Sequence, residues 1–237
     1  MAAKKDTDSQ AVELTQKILG TAITGAGKFK SASTVAEEAL EAHKDPDLAI
    51  ARLVSTHRRI VGASGFASGV GGLATMAVTI PADITLFYAY AARMSAAIAH
   101  IRGYDLTSDE VRSGVLISLL GAGAGAAIGK VGADIGQKVA IAQLGRLPGA
   151  VLISINKAVG FRLITKFGTK GAINLVKIVP MVGGGVGAGV NVVTINGIYK
   201  YSDSLFVPLK GTDATPDSEQ ASPHPTGSAP ADFVDKS

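Results

Sequence analysis

The chain has no cysteine among its 237 residues. Disulfides, thiolate-ligated zinc, iron–sulfur clusters and a thiol nucleophile are therefore excluded. Aromatic residues reach only 5% and charged residues only 18%. The net charge of +4 is spread over scattered or paired basic residues such as Lys4-Lys5 and Arg58-Arg59. Without a basic helix interleaved with aromatics, nucleic acid is not an expected partner. The opening residues MAAKKDTDSQ carry no apolar core, so a secretory signal is not expected and the default location is cytoplasmic. No stretch alternates apolar and polar residues between hairpin turns, which removes the usual signature of a sheet.

Small and apolar residues fill the space. Hydrophobic residues make up 47%, there are 29 glycines, and mean hydropathy is +0.31. Such a chain is more apolar and less charged than an ordinary soluble domain. Helical spacing recurs almost throughout, for example Ile50, Leu53, Val54, His57, Ile60 and Val61. Asp45-Pro46 supplies an N-cap followed by proline at the first helical position. Thr34 with Glu37, and Thr107 with Glu110, have capping-box spacing. Gly103 suits the residue just past a helix end. The expected fold is all-α: a compact Gly/Ala-rich multi-helix bundle. It comprises a polar N-terminal segment (1–10), a helical domain (11–208) and a disordered C-terminal tail (209–237) rich in Asp, Ser, Thr, Pro and Gly.

Residues 115–132, VLISLLGAGAGAAIGKVG, contain a match to the glycine pattern of a dinucleotide-binding turn. That turn needs a preceding strand and an acidic residue about 20 positions later. The capping box upstream predicts a helix instead, and the region around Gly145, Arg146 and Leu147 has no acid. Gly121, Gly125, Gly129, Gly132 and Gly136 fall on one helical face. Each interior glycine costs about 1 kcal/mol relative to alanine. Close approach of a second backbone can offset that cost, as in small-xxx-small packing. Gly183 and Gly187 repeat the spacing and are assigned the same packing role. GTAITGAGKFK at 20–30 falls short of a phosphate-binding loop, because Ala22 and Phe29 replace its glycine and hydroxyl residues.

The four histidines show no metal-ligand spacing, and there is no G-x-S-x-G nucleophile motif. No cofactor, metal or catalytic set is assigned. The best polar pattern is Asp83, Tyr90, Arg93 and His100, which share one face of a helix with Leu86 and Ala97. Phe87, Ala91, Met94, Ile98 and Ile101 form the neighbouring apolar face. The polar face is either solvated or a seam buried against another helix.

Several stretches resemble the EcsC protein family of bacteria. They are Gly71-Gly72-Leu73 through Ile80-Pro81-Ala82-Asp83, Arg93-Met94 through Ile98-Ala99, and Gly103-Tyr104-Asp105. Asn156-Lys157, Gly160-Phe161-Arg162, Phe167-Gly168, Lys170-Gly171, Val179-Pro180 and Gly183-Gly184 continue it, over about residues 35–206. The resemblance implies a helical, hydrophobic, membrane-associated protein linked to ABC-type transport, because the namesake is encoded beside an ATPase and a permease. It implies no catalytic residues.

Residues 60–82 and 178–199 carry no charge and are long enough to cross a bilayer. Eight to ten strongly apolar residues would supply roughly −2 to −6 kcal/mol of insertion energy before the small and polar residues are counted. Arg93, mid-helix, would cost about 2.5–3.5 kcal/mol in a returning span. The expectation is therefore a non-enzymatic accessory protein peripheral to the inner membrane face, with membrane lipid or a membrane protein as partner. An integral arrangement is the alternative location. A soluble helical module holding an apolar small molecule, and an enzyme using the Asp83/Arg93/His100 seam, are the alternative functions.

Overall fold

The computed structural model describes residues 2–70, 72–121 and 183–209, with Gly149, Ile153, Ser154, Lys157 and Val159 in addition. Within these, the side chains of residues 2–11, 67–70, 72–84 and 183–187 are outside the description. Six helices and no strand occur among the described residues: α1 (Ala2–Thr24), α2 (Ala32–Ala42), α3 (Pro46–Val70), α4 (Gly72–Ile101), α5 (Asp109–Ser118) and α6 (Gly183–Leu205). The all-α expectation holds. The tail beyond Leu209 and Gly125, Gly129, Gly132 and Gly136 lie outside the described residues.

Local chemistry sets the helix ends. Asp45 Oδ1 accepts hydrogen bonds from the backbone N–H groups of Asp47 (2.8 Å) and Leu48 (2.9 Å), and Pro46 opens α3. Ser108 caps α5 by accepting from Val111 N–H at 3.3 Å. Gly103 takes φ +86 just past α4. The cap of α2 is Ser31, whose hydroxyl accepts from Thr34 N–H at 3.1 Å, so the helix starts before the Thr34–Glu37 box. The polar N-terminal segment is drawn into α1, which starts at Ala2. Its Ala, Lys and Gln residues favour helix, and no Gly or Pro precedes Gly20 to stop it.

α4 packs against each of the other five helices. Every residue from 91 to 99 is buried, including Ala91, Ala92, Met94, Ala96, Ala97, Ile98 and Ala99 at 0% exposure. A helix apolar on all sides belongs at the centre of a bundle. Alanine is the small residue at the crossings: Ala22, Ala32, Ala36 and Ala49 on three surrounding helices are also fully covered. Larger side chains fill the remaining gaps, with Ile18, Leu19, Leu116, Ile117, Ile195, Ile198 and Phe206 almost wholly buried. Each contributes about 1.5–3 kcal/mol of burial energy.

The contacts fix the helix directions. Arg102, at the end of α4, meets Asp47 at the start of α3 and Asp203 near the end of α6. Farther along, Asn191 Nδ2 donates to the Val61 carbonyl at 3.0 Å, and Gly62 faces Val192. α3 therefore runs antiparallel to both α4 and α6. The charge-free stretch 60–82 is not one continuous helix: α3 ends at Val70 and α4 begins at Gly72. The stretch is shared between the end of α3 and the start of the antiparallel α4, and Pro81 lies inside α4.

Gly121 departs from its expected place on an uninterrupted helical face. α5 ends at Ser118, and Gly121 has φ +52, a left-handed conformation. The close approach itself is present: a Cβ at Gly121 would sit 3.4 Å from the Gly197 backbone of α6. Gly183 and Gly187 lie in the first turns of α6.

Candidate functional site

The site is built around Arg93, on the central helix. Its neighbour Phe29 comes from the α1–α2 connection, where Gly25 (φ +78) and Gly27 (φ +58) allow a tight reversal. Ala26 and Phe29 exchange two backbone hydrogen bonds at 2.9 and 3.0 Å. The reversal places the Phe29 ring 4.3 Å from the Arg93 guanidinium carbon, while Tyr90, one turn back on α4, lies 4.8 Å away. The two rings pack at 4.9 Å and 50°. They supply cation–π attraction on a site where water is scarce.

Arg93 is 6% exposed. Its Nε donates to His57 Nε2 at 3.2 Å, and Nη1 donates to the Lys30 carbonyl at 3.4 Å. His57, 1% exposed, completes the chain through Nδ1, 2.8 Å from the Leu53 carbonyl. A carbonyl only accepts, so Nδ1 carries the proton and Nε2 offers its lone pair to Arg93. Burial holds His57 down to about 4; the Leu53 hydrogen bond pulls upward and the Arg93 charge adds to the depression. Burial also lowers the Arg93 pKa, against the upward pull of Tyr90 and Glu38. At neutral pH the pair is a guanidinium against a neutral imidazole whose two nitrogens are both engaged. His57 thus has no free base with which to take a substrate proton.

A cleft of about 260 Å³ opens beside this pair, between α2 and α3. Val35, Glu38, Arg52, Thr56, His57 and Arg93 line it. Glu38 also pairs with Lys30 at the exposed side.

The polar seam is divided by the structure. Arg93 and Tyr90 come together under Phe29. His100 lies two turns farther along α4, half-buried, with Nε2 3.8 Å from Glu37. That is beyond hydrogen-bond reach. The Asp83 side chain lies outside the described residues. Arg93 is buried, and no shared cleft joins it to His100 among the described residues.

Sequence reasoning missed His57 as the partner of Arg93, because 36 residues separate them. The available signal was a histidine inside the otherwise apolar stripe of α3. It also missed a buried trio at the α4–α5–α6 junction. Ser202 donates to Ser95 at 2.9 Å, Ser95 and Ser118 lie 2.7 Å apart, and Ser118 donates to the Val115 carbonyl at 2.6 Å. All three are fully buried, and the run of donors leaves none of the hydroxyls unbonded. It acts as a polar staple.

Among the described residues no cluster of His, Asp and Glu could hold a metal ion. No helix among them is long and apolar enough to cross a membrane. Comparison with protein-family models, with curated proteins and with solved structures gave no match to this chain.

Proposed function

We propose that this chain is a non-enzymatic, membrane-associated accessory protein that docks one end of its helical bundle on a lipid surface. The observation that carries this reading is the juxtaposition of the two charge-free stretches. Asn191 bonds to Val61 across 130 positions of sequence, and Val192 meets Gly62 beside it. Charge collects at the opposite end, where Asp47, Arg102 and Asp203 form one ion network. Within the charge-free stretches Phe66, near the end of α3, is 53% exposed and Val193, midway along α6, is 72% exposed. Val190 and Val193, with Gly189 and Thr194, line a shallow depression of about 370 Å³. Phe66, Val190 and Val193 are large apolar side chains exposed within stretches that carry no charge, which favours contact with a membrane or partner, whereas the exposed Leu48, Val207 and Leu209 lie beside the ion network.

The resemblance to the EcsC family supports the same reading and adds a link to ABC-type transport. A peripheral attachment suits helices that fall short of the membrane-spanning criterion. Mild basicity supports contact with an anionic inner membrane face. The separation of His100, which faces Glu37, from the cleft lined by Arg93 argues against the enzyme alternative built on Asp83, Arg93 and His100.

Co-sedimentation with vesicles tests the proposal. Wild-type protein should pellet with both neutral and anionic vesicles, and attachment should persist at high salt because burial of apolar surface drives it. Phe66→Asp with Val193→Asp should abolish pelleting while leaving the helical circular dichroism unchanged. Failure of the wild type to bind any vesicle overturns the reading.

A further inference from the structure

We propose that the cleft between α2 and α3 is a binding site for a phosphate monoester, with the phosphoryl group seated on Arg93. Arg93 is only 6% exposed, yet no carboxylate hydrogen-bonds to it among the described residues. Its direct neighbours are a neutral imidazole, a backbone carbonyl and two aromatic faces, and the carboxylate of Glu38, in the same cleft, acts on it without a hydrogen bond and is itself paired with Lys30. Buried charges are ordinarily paired. Nη2 has no hydrogen-bond partner among the described residues, and the side chain lines the cleft.

The surroundings fit an anion. Arg52 lines the same cleft, and Lys30 stands at its side, paired with Glu38. Arg93, Arg52 and Lys30 are three cations against the single carboxylate of Glu38, with His57 neutral. A dianionic phosphoryl group balances that excess. A planar guanidinium recognises such a group with directed N–H donors. His57 and the Lys30 carbonyl, by accepting from Nε and Nη1, hold the guanidinium plane in place before a ligand arrives. The cleft, at about 260 Å³, is below the usual range for whole small-molecule ligands, so it suits the phosphoryl end of a molecule that extends into solvent. Glu38 is the competing anion built into the site, so binding draws it aside with Lys30.

The phosphoryl group could belong to a soluble metabolite or to a lipid headgroup, and the experiment separates the two. The full chain is titrated with inorganic phosphate at pH 7.5 and low salt, following the Arg93 Nε–H resonance by NMR. Arg93→Lys keeps the charge and loses the fork, and should weaken binding at least about tenfold. Arg52→Gln, at an exposed position that does not threaten folding, should weaken it about threefold. Glu38→Gln should tighten it by a similar factor. Phosphatidate vesicles form the second arm. If the Arg93→Lys and Arg52→Gln variants lose extra affinity for phosphatidate over phosphatidylcholine vesicles, the occupant is a lipid headgroup. If only phosphate binding falls, it is a soluble monoester. An Arg93 resonance unmoved by about 10 mM phosphate, a concentration that detects even millimolar affinity, overturns the proposal. Equal binding by the wild type, Arg93→Lys and Arg52→Gln also overturns it. Phe66→Asp with Val193→Asp should leave phosphate binding unchanged, which keeps this test separate from that of membrane docking.

Discussion

Replacing His57 with glutamine should flatten the acid side of the stability profile. Burial holds His57 at about 4 in the folded chain, against its ordinary 6.5. The unfolded chain binds a proton below 6.5 that the folded chain refuses until about pH 4. Stability from this residue is therefore complete above pH 6.5 and falls as the pH drops toward 4, where the loss levels off. Proton linkage sets the loss between about pH 7.5 and pH 5 at about 2 kcal/mol, with a limit of about 3 kcal/mol below about pH 4. The glutamine side chain of the variant would still offer an oxygen to the Arg93 Nε–H but could not titrate. Urea unfolding of wild type and His57→Gln at half-unit steps from pH 7.5 to 4.5 measures the difference, and other titrating groups cancel between the two proteins. The wild type should lose about 2 kcal/mol relative to the variant on going to about pH 5. Parallel profiles would falsify the assignment of His57 as a buried neutral imidazole.

Further substitutions probe the packing. Gly25→Ala should destabilise more than Gly27→Ala in thermal unfolding. Both have positive φ, but a Cβ at Gly25 meets the Phe29 carbonyl at 2.8 Å while Gly27 faces open space. The Gly27 change should cost about 1 kcal/mol and the Gly25 change at least twice that. Ser95→Ala should cost only about 1 kcal/mol, since Ser118 keeps the Val115 carbonyl and Ser202 can turn its proton from Ser95 to the Ile198 carbonyl 2.9 Å away; a loss several times larger contradicts the assigned donor order. Asp203→Ala should destabilise more than Asp47→Ala, because Asp203 is 40% exposed against 78% for Asp47 and solvent screens the latter pair. Equal costs in a denaturant titration contradict that ranking.

Helix boundaries are legible in the sequence wherever one residue acts on its own neighbours. Asp45 with Pro46 and Gly103 mark ends that the folded chain uses, and Ser108 caps α5 one residue after Thr107, the first residue of the expected box. Thr34 misleads because its box with Glu37 is complete, whereas Ser31 caps α2 with no acid three positions on. The apolar stripes of α3 and α4 predict burial correctly at Leu53, Val54, Met94 and Ile98. What spacing cannot show is contact between distant segments. Tyr90, Arg93 and His100 give α4 the look of an amphipathic helix, but His57 partners Arg93 from α3, and Ser118 and Ser202 satisfy Ser95 from other helices. The helix can therefore occupy the centre. Gly121 looks like a helix-packing glycine and does approach a neighbouring backbone, but in a left-handed turn that only its φ reveals.

The absence of cysteine makes the central claim directly measurable. Val193→Cys gives a single site for a polarity-sensitive fluorophore in the charge-free part of α6, and Arg52→Cys gives one on the flank of the bundle. On addition of phosphatidylcholine–phosphatidylglycerol vesicles, the label at position 193 should shift to the blue while that at 52 stays unchanged. A label at 193 that keeps its aqueous spectrum, or equal shifts at both positions, contradicts docking through this end.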